Sequence, residues 1–121
     1  MVRDPVGLDA NGSILCVGGM PEGAIFDILS GDNNSLIEAA GNALQMSLAD
    51  FPDNSGKNFR FFVDCISRVL FLEDRFKEEL AAVHSHESPL VGACTIGEIA
   101  NCGNDFLEFY NKTAVMAILE S

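Results

Sequence analysis

With 121 residues, 48% hydrophobic and 21% charged, the chain is expected to form one domain with a real core, which excludes global disorder. Seven Lys and Arg face 18 Asp and Glu, for a net charge of −11, and the cations are scattered, so nucleic acid and an anionic membrane surface are not expected partners. No apolar run approaches the ~18 residues of a membrane span, and no basic stretch followed by an apolar one marks a signal peptide; cysteines that lie in apolar runs suggest a reduced, cytoplasmic protein.

Residues 2–11 read as extended, with Pro5 and Gly7. Residues 13–19 (S-I-L-C-V-G-G) and 23–30 (G-A-I-F-D-I-L-S) read as strands. The turn chemistry between them, Gly18-Gly19-Met20-Pro21-Glu22-Gly23, predicts an antiparallel pair. Ser35 as N-cap with Glu38 three positions later makes a capping box for a helix over 35–49. Leu36, Ala40, Ala43 and Leu44 give that helix one apolar stripe. Residues 52–58 read as a polar loop.

Residues 58–65 alternate. Phe59, Phe61, Val63 and Cys65 point one way, and Arg60, Phe62 and Asp64 the other. An aromatic on each face predicts an interior strand. A second helix is expected over 72–83, starting as early as Ser67, with Leu72, Phe76, Leu80 and Val83 as its stripe. Residues 89–96 (P-L-V-G-A-C-T-I) read as a strand whose small Gly92, Ala93 and Cys94 allow close approach. After an irregular stretch over 97–105, residues 106–110 and 113–120 close the fold. The reading is an α/β domain bordering on α+β, with two main helices on a mixed sheet of about five to six strands. Its order is β-β-α-β-α-β-β, with one more strand if the two closing runs are separate.

Four cysteines occupy positions 16, 65, 94 and 102, with no C-x-x-C and no zinc-finger spacing. Cys16, Cys65 and Cys94 lie in apolar runs, so reduced, buried thiols are expected. Cys102 is left as the thiol most open to reagents.

Three short motifs carry the polar chemistry: Cys65-Ile66-Ser67-Arg68, Gly97-Glu98-Ile99 and Asn111-Lys112-Thr113. Arg68 can take a carboxylate in bidentate fashion and Glu98 an ammonium, which together would hold a zwitterion. Arg68 can equally pair with Asp64, Glu73 or Glu98, or lie exposed. Glu98 can equally cap a helical turn. Asn111 and Thr113 suit a turn or bulge as well as a ligand. If Arg68 and Glu98 both end strands running the same way, they meet at one sheet edge. Cys65 reads as core before nucleophile, with no basic residue beyond Arg68 close to it in sequence. His84 and His86 suit a helix end, or a metal or haem. No P-loop, G-x-G-x-x-G, G-x-S-x-G or H-E-x-x-H is present.

The chain resembles the C-terminal half of a FIST module, the sensory domain named from F-box and intracellular signal transduction proteins. The matching pieces are Arg3-Asp4-Pro5, Pro21-Glu22-Gly23, Cys65-Ile66-Ser67-Arg68, Gly92, Thr95 with Gly97-Glu98-Ile99, and Asn111-Lys112-Thr113. Ser67 stands where the family pattern usually has glycine, and Ala93-Cys94 where it usually has an aromatic. The resemblance implies one FIST C-terminal-like domain over 1–121, excised from a larger sensory module, that binds a small ligand, with amino acids the class. It also implies an N-terminal FIST half or a signalling output domain as partner. A homodimer or interaction module, and a haem-based gas sensor using His84 or His86, are the alternatives. The expected pocket residues are Arg68, Glu98, Asn111, Thr113, Cys65 and Gly97, with no catalytic group, no metal and no cofactor.

Overall fold

The computed structural model describes residues 2–51, 58–101 and 106–120. The polar loop expected over 52–58 lies almost wholly outside them, as does Cys102. Among the described residues, seven strands and three α-helices follow in the order β1 (Pro5–Leu8), β2 (Ile14–Cys16), α1 (Asn33–Asp50), β3 (Asn58–Cys65), α2 (Ile66–Leu72), α3 (Phe76–Val83), β4 (Leu90–Thr95), β5 (Glu98–Ala100), β6 (Glu108–Tyr110) and β7 (Ala114–Glu120). A 3-10 turn, Glu73–Arg75, joins α2 to α3. The class is α+β, with mixed pairing.

The central sheet has the order β4-β3-β7, so β3 is interior as its two-faced pattern predicts. Strand β4 runs parallel to β3, with Phe62 opposite Gly92 and Asp64 opposite Cys94. Strand β7 runs antiparallel on the other side, with Phe62 opposite Met116. At Gly92 a Cβ would collide with the Phe62 carbonyl, so glycine is required for this close pairing. Helices α1 and α3 cover the Arg60–Phe62–Asp64 face, where Ala40, Leu44, Phe62, Val83 and Met116 form the core. The opposite face carries Phe61, Val91 and Leu119, all still exposed.

This assignment of faces changes one expectation. Phe61 is half-exposed, whereas Phe62 is 4% exposed and inside the core. Phe62→Ala should therefore destabilise by about 3–5 kcal/mol and Phe61→Ala by much less. Chemical denaturation of the two variants checks this, and equal losses would contradict the assignment.

Helix α1 begins two residues earlier than Ser35 because Asp32, not Ser35, is its cap. The Asp32 carboxylate accepts from the Ser35 N–H at 2.8 Å, and Ser35 Oγ accepts from the Asp32 N–H at 2.9 Å. Ser35 is thus the N3 member of the box rather than its first residue. The second helix is broken at Glu73, whose φ of +49° lies in the left-handed region.

The expected hairpin between 13–19 and 23–30 does not form. β2 pairs instead with β1, from the stretch read only as extended. Residues 23–30 make no ladder, and Ile25, Phe26, Ile28 and Leu29 stand exposed. Gly12, at φ +82°, makes the turn that brings β2 back on β1. No helix among the described residues is long and apolar enough to cross a membrane.

Candidate functional site

Because β3 and β4 are parallel, their C-terminal ends lie at one edge of the sheet. Cys65 ends β3, and Thr95 ends β4 opposite it. The chain turns through Ile96 and Gly97 into β5, which opens with Glu98. Asn111, Lys112 and Thr113 link β6 to β7 at the same edge, and Thr113 accepts a backbone hydrogen bond from Cys65 at 3.1 Å. Lys112 takes a left-handed φ of +55°, so this motif is the tight turn that its residue types allow. The turn also delivers Asn111 into the interior. The edge thus gathers Cys65, Gly97, Glu98, Asn111 and Thr113.

Glu98 is 2% exposed. Its Oε1 accepts from Thr95 Oγ1 at 2.8 Å. Burial pushes its pKa up, opposed by Thr95, the Thr113 amide, the Cys65 thiol and the charge of Arg68. Its other oxygen, Oε2, has no hydrogen-bond donor. Asn111 is fully buried, and its Nδ2 donates to the Ile96 carbonyl at 3.1 Å. Its Oδ1 is also without a donor. Two buried acceptors left open at one edge are costly unless something fills them. Thr113 Oγ1 turns back to the Asn111 carbonyl at 2.9 Å.

Over this cluster lies Phe109. A Cβ at Gly97 would strike its ring, so glycine is what lets the ring sit there. Arg3 holds the ring from outside, stacked 5.3 Å from its centroid and donating to the Phe109 carbonyl at 2.6 Å. Lys112 lies over Phe71 at 4.8 Å and 3.9 Å from Asp4.

Arg68 occupies a different centre. It reaches into the helical layer, where its Nε lies 3.0 Å from Asp64 Oδ1 and its Nη2 pairs with Glu79 Oε1. Nη2 also donates to the Leu36 carbonyl at 2.9 Å. Arg68 is close enough to Glu98 for its charge to be felt there, but its ion pairs are with Asp64 and Glu79, from two elements of the helical face.

Asp64, Arg68 and Glu79 are at most 2% exposed, so two carboxylates and one guanidinium share a water-poor space. Burial and the neighbouring Glu79 push Asp64 up to about 7, against the pull of Arg68. Glu79 escaped the sequence reading. It sits between Phe76 and Val83 on the apolar side of α3, and a carboxylate at that spacing is the signal that marks it.

Thiol expectations hold for Cys65, which is buried, with its Sγ 3.2 Å from Ser67 Oγ. They fail for Cys94, which is exposed because β4 is an edge strand, and for Cys16, which is half-buried because β2 is short and superficial. None of the three is placed in a disulfide among the described residues. His84 and His86 are exposed after α3, their rings edge to face at 5.3 Å. Among the described residues no group of three or more His, Cys, Asp or Glu could hold a metal ion.

No curated protein and no solved structure gave a match to the chain. The family profile described as FIST C domain matches residues 1–101, a span that takes in β1 through β5 and every site residue up to Glu98, together with Asp64, Arg68 and Glu79. The chain therefore belongs to the FIST C domain family, a sensory domain family linked to signal transduction.

Proposed function

We propose that this chain is a non-enzymatic, cytoplasmic ligand-sensing domain that takes an amino acid or similar small amino-bearing metabolite at the edge formed by Cys65, Gly97, Glu98, Asn111 and Thr113. The observation that carries this reading is the pair of buried acceptors without donors, Glu98 Oε2 and Asn111 Oδ1. An ammonium supplies donors and charge to such a pair. Arg68 enters as a nearby positive charge rather than as a carboxylate clamp, because Asp64 and Glu79 already engage it. The output partner in this reading is an N-terminal FIST half or a signalling domain.

A thermal-shift and calorimetric screen of the common amino acids tests it. A true ligand should stabilise the fold by about 2.7 kcal/mol at a hundredfold excess over Kd. Glu98→Gln should weaken that ligand by about tenfold or more, equal to about 1.4 kcal/mol. The proposal fails if no amino acid shifts the melting curve, or if the Glu98→Gln protein responds as the parent does. A second reading, a protein-interaction module, draws on the exposed Phe61, Val91 and Leu119 face beside the open edge of β4. It requires a concentration-dependent dimer with no ligand response.

A further inference from the structure

On the helical side of the sheet, a groove of about 350 Å³ runs between α3 and β4. Phe76 and Leu80 form one wall, Phe62 the base, and Leu90, Gly92 and Cys94 the other wall. The register places Leu90, Gly92 and Cys94 opposite Arg60, Phe62 and Asp64, so all six face the same side. The groove exists because β4 is an edge strand with small residues at Gly92 and Cys94. One ionisable carboxyl lines it, that of Asp64, which is 1% exposed; its Oδ1 is ion-paired with Arg68 Nε, and its Oδ2 has no hydrogen-bond donor.

The charge count around that carboxyl is unbalanced. Asp64 from β3 and Glu79 from α3 are two carboxylates, and Arg68 from α2 is one guanidinium. Helix α1 adds only the Leu36 carbonyl, an acceptor. Strand β4 adds the Cys94 thiol, whose pKa is raised by burial and by these two carboxylates. Arg60, on the same face of β3, donates to the Val83 carbonyl and is not ion-paired with them. Strand β7 places Ala114 opposite Asp64 and contributes no charge. The centre is therefore short of one positive charge and of donors for Asp64 Oδ2 and Glu79 Oε2.

We propose that this groove is a binding site for a primary amine with an apolar tail, the ammonium donating to Asp64 and the tail lying between Leu80 and Leu90. An apolar cleft with one convergent ionisable group has the make-up of a small-ligand site, and a cation is the one charge that completes this centre. A carboxylate in the same place would add a third negative charge. The site is distinct from the Glu98 and Asn111 edge, because Asp64 and Cys65 point to opposite faces of β3. When Asp64 carries a proton, the ammonium displaces it, so an amine and a proton exchange one for one: R–NH3⁺ enters and H⁺ leaves.

The probes are n-hexylamine and hexanoate, on the whole chain. Cys94 lines the groove and is exposed, so its modification by N-ethylmaleimide, followed by peptide mass, reports occupancy. When hexylamine fills about nine sites in ten, labelling of Cys94 should slow about tenfold, while hexanoate leaves it unchanged. Calorimetry at pH 6 in buffers of differing ionisation enthalpy should show close to one proton released, and at pH 8.5 close to none. Leu80→Trp, which fills the groove without touching the charges, should abolish protection, and Asp64→Asn should remove the preference for amine over acid. The proposal is overturned if folded parent protein shows no saturable protection by hexylamine or equal protection by both probes. It is also overturned if protection survives in Leu80→Trp but is lost in Glu98→Gln, which would place the amine at the strand-end cluster.

Discussion

Arg68→Ala should cost about 3–5 kcal/mol of folding stability, as removal of one partner of a buried ion pair does. The guanidinium lies between Asp64 and Glu79, and none of the three reaches bulk water. Without it, two carboxylates face each other in the helical layer, and the carbonyl of Leu36 loses its donor. One carboxyl would take up a proton at neutral pH, which lowers the loss without removing it. Adding Asp64→Asn to Arg68→Ala should therefore recover stability, with a coupling of at least about 1 kcal/mol between the two sites. Urea unfolding at pH 7 measures both quantities. A loss below about 1 kcal/mol for Arg68→Ala would mean that water reaches this centre and that the ion pairs contribute little.

The route from sequence to this centre was only partly legible. A charge amid Val69, Leu70 and Phe71 must find a partner, and Asp64, four positions before Arg68, is one that the sequence offers. Glu79 did not stand out, because a helix rich in Glu and Lys presents many carboxylates. Its spacing between Phe76 and Val83 puts it on the apolar side of α3, and the packing of α3 against β3 then turns it toward Arg68. Strand β3 was readable because alternation with period two is a local property. The same alternation could not say which face the helices cover, and that choice puts Phe62 rather than Phe61 in the core. The run over 23–30 has strand-like alternation yet no ladder, because β-pattern alone does not create a neighbour to pair with. Close approach at Gly92 was foreseen from its size, and parallel β3 and β4 brought Cys65 and Glu98 to one edge. What sequence could not supply was the direction of the Arg68 side chain, which turns to the helical layer rather than toward Glu98.

Stability should fall as pH rises from about 4 to 7, the reverse of ordinary acid denaturation. Asp64 ionises near 7 in the folded protein, against a usual value of 3.8. A carboxyl whose pKa is raised by folding binds its proton more tightly in the native state. Its contribution is complete below the unfolded pKa and is lost progressively as pH climbs to the folded one. Each pH unit in that window is worth 1.36 kcal/mol, so the loss is on the order of 2–4 kcal/mol once relaxation around the new charge is allowed for. Glu98, also raised by burial, acts with the same sign. Asp9, Asp32 and Glu78 act with the opposite sign, because turn and cap hydrogen bonds or Arg75 lower their pKa values, and they withdraw stability only in acid. The optimum should therefore lie near pH 4 to 5 rather than at neutrality. Melting temperatures from pH 4 to 8.5 test this, with Asp64→Asn as the comparison, since an amide keeps the shape and cannot ionise. The expected result is a falling curve for the parent and a flatter one for Asp64→Asn, the two crossing so that the variant is the more stable at pH 8. A parent curve that rises through this range, or an Asp64→Asn curve with the same slope, would remove Asp64 as the proton-binding group at the centre of the fold.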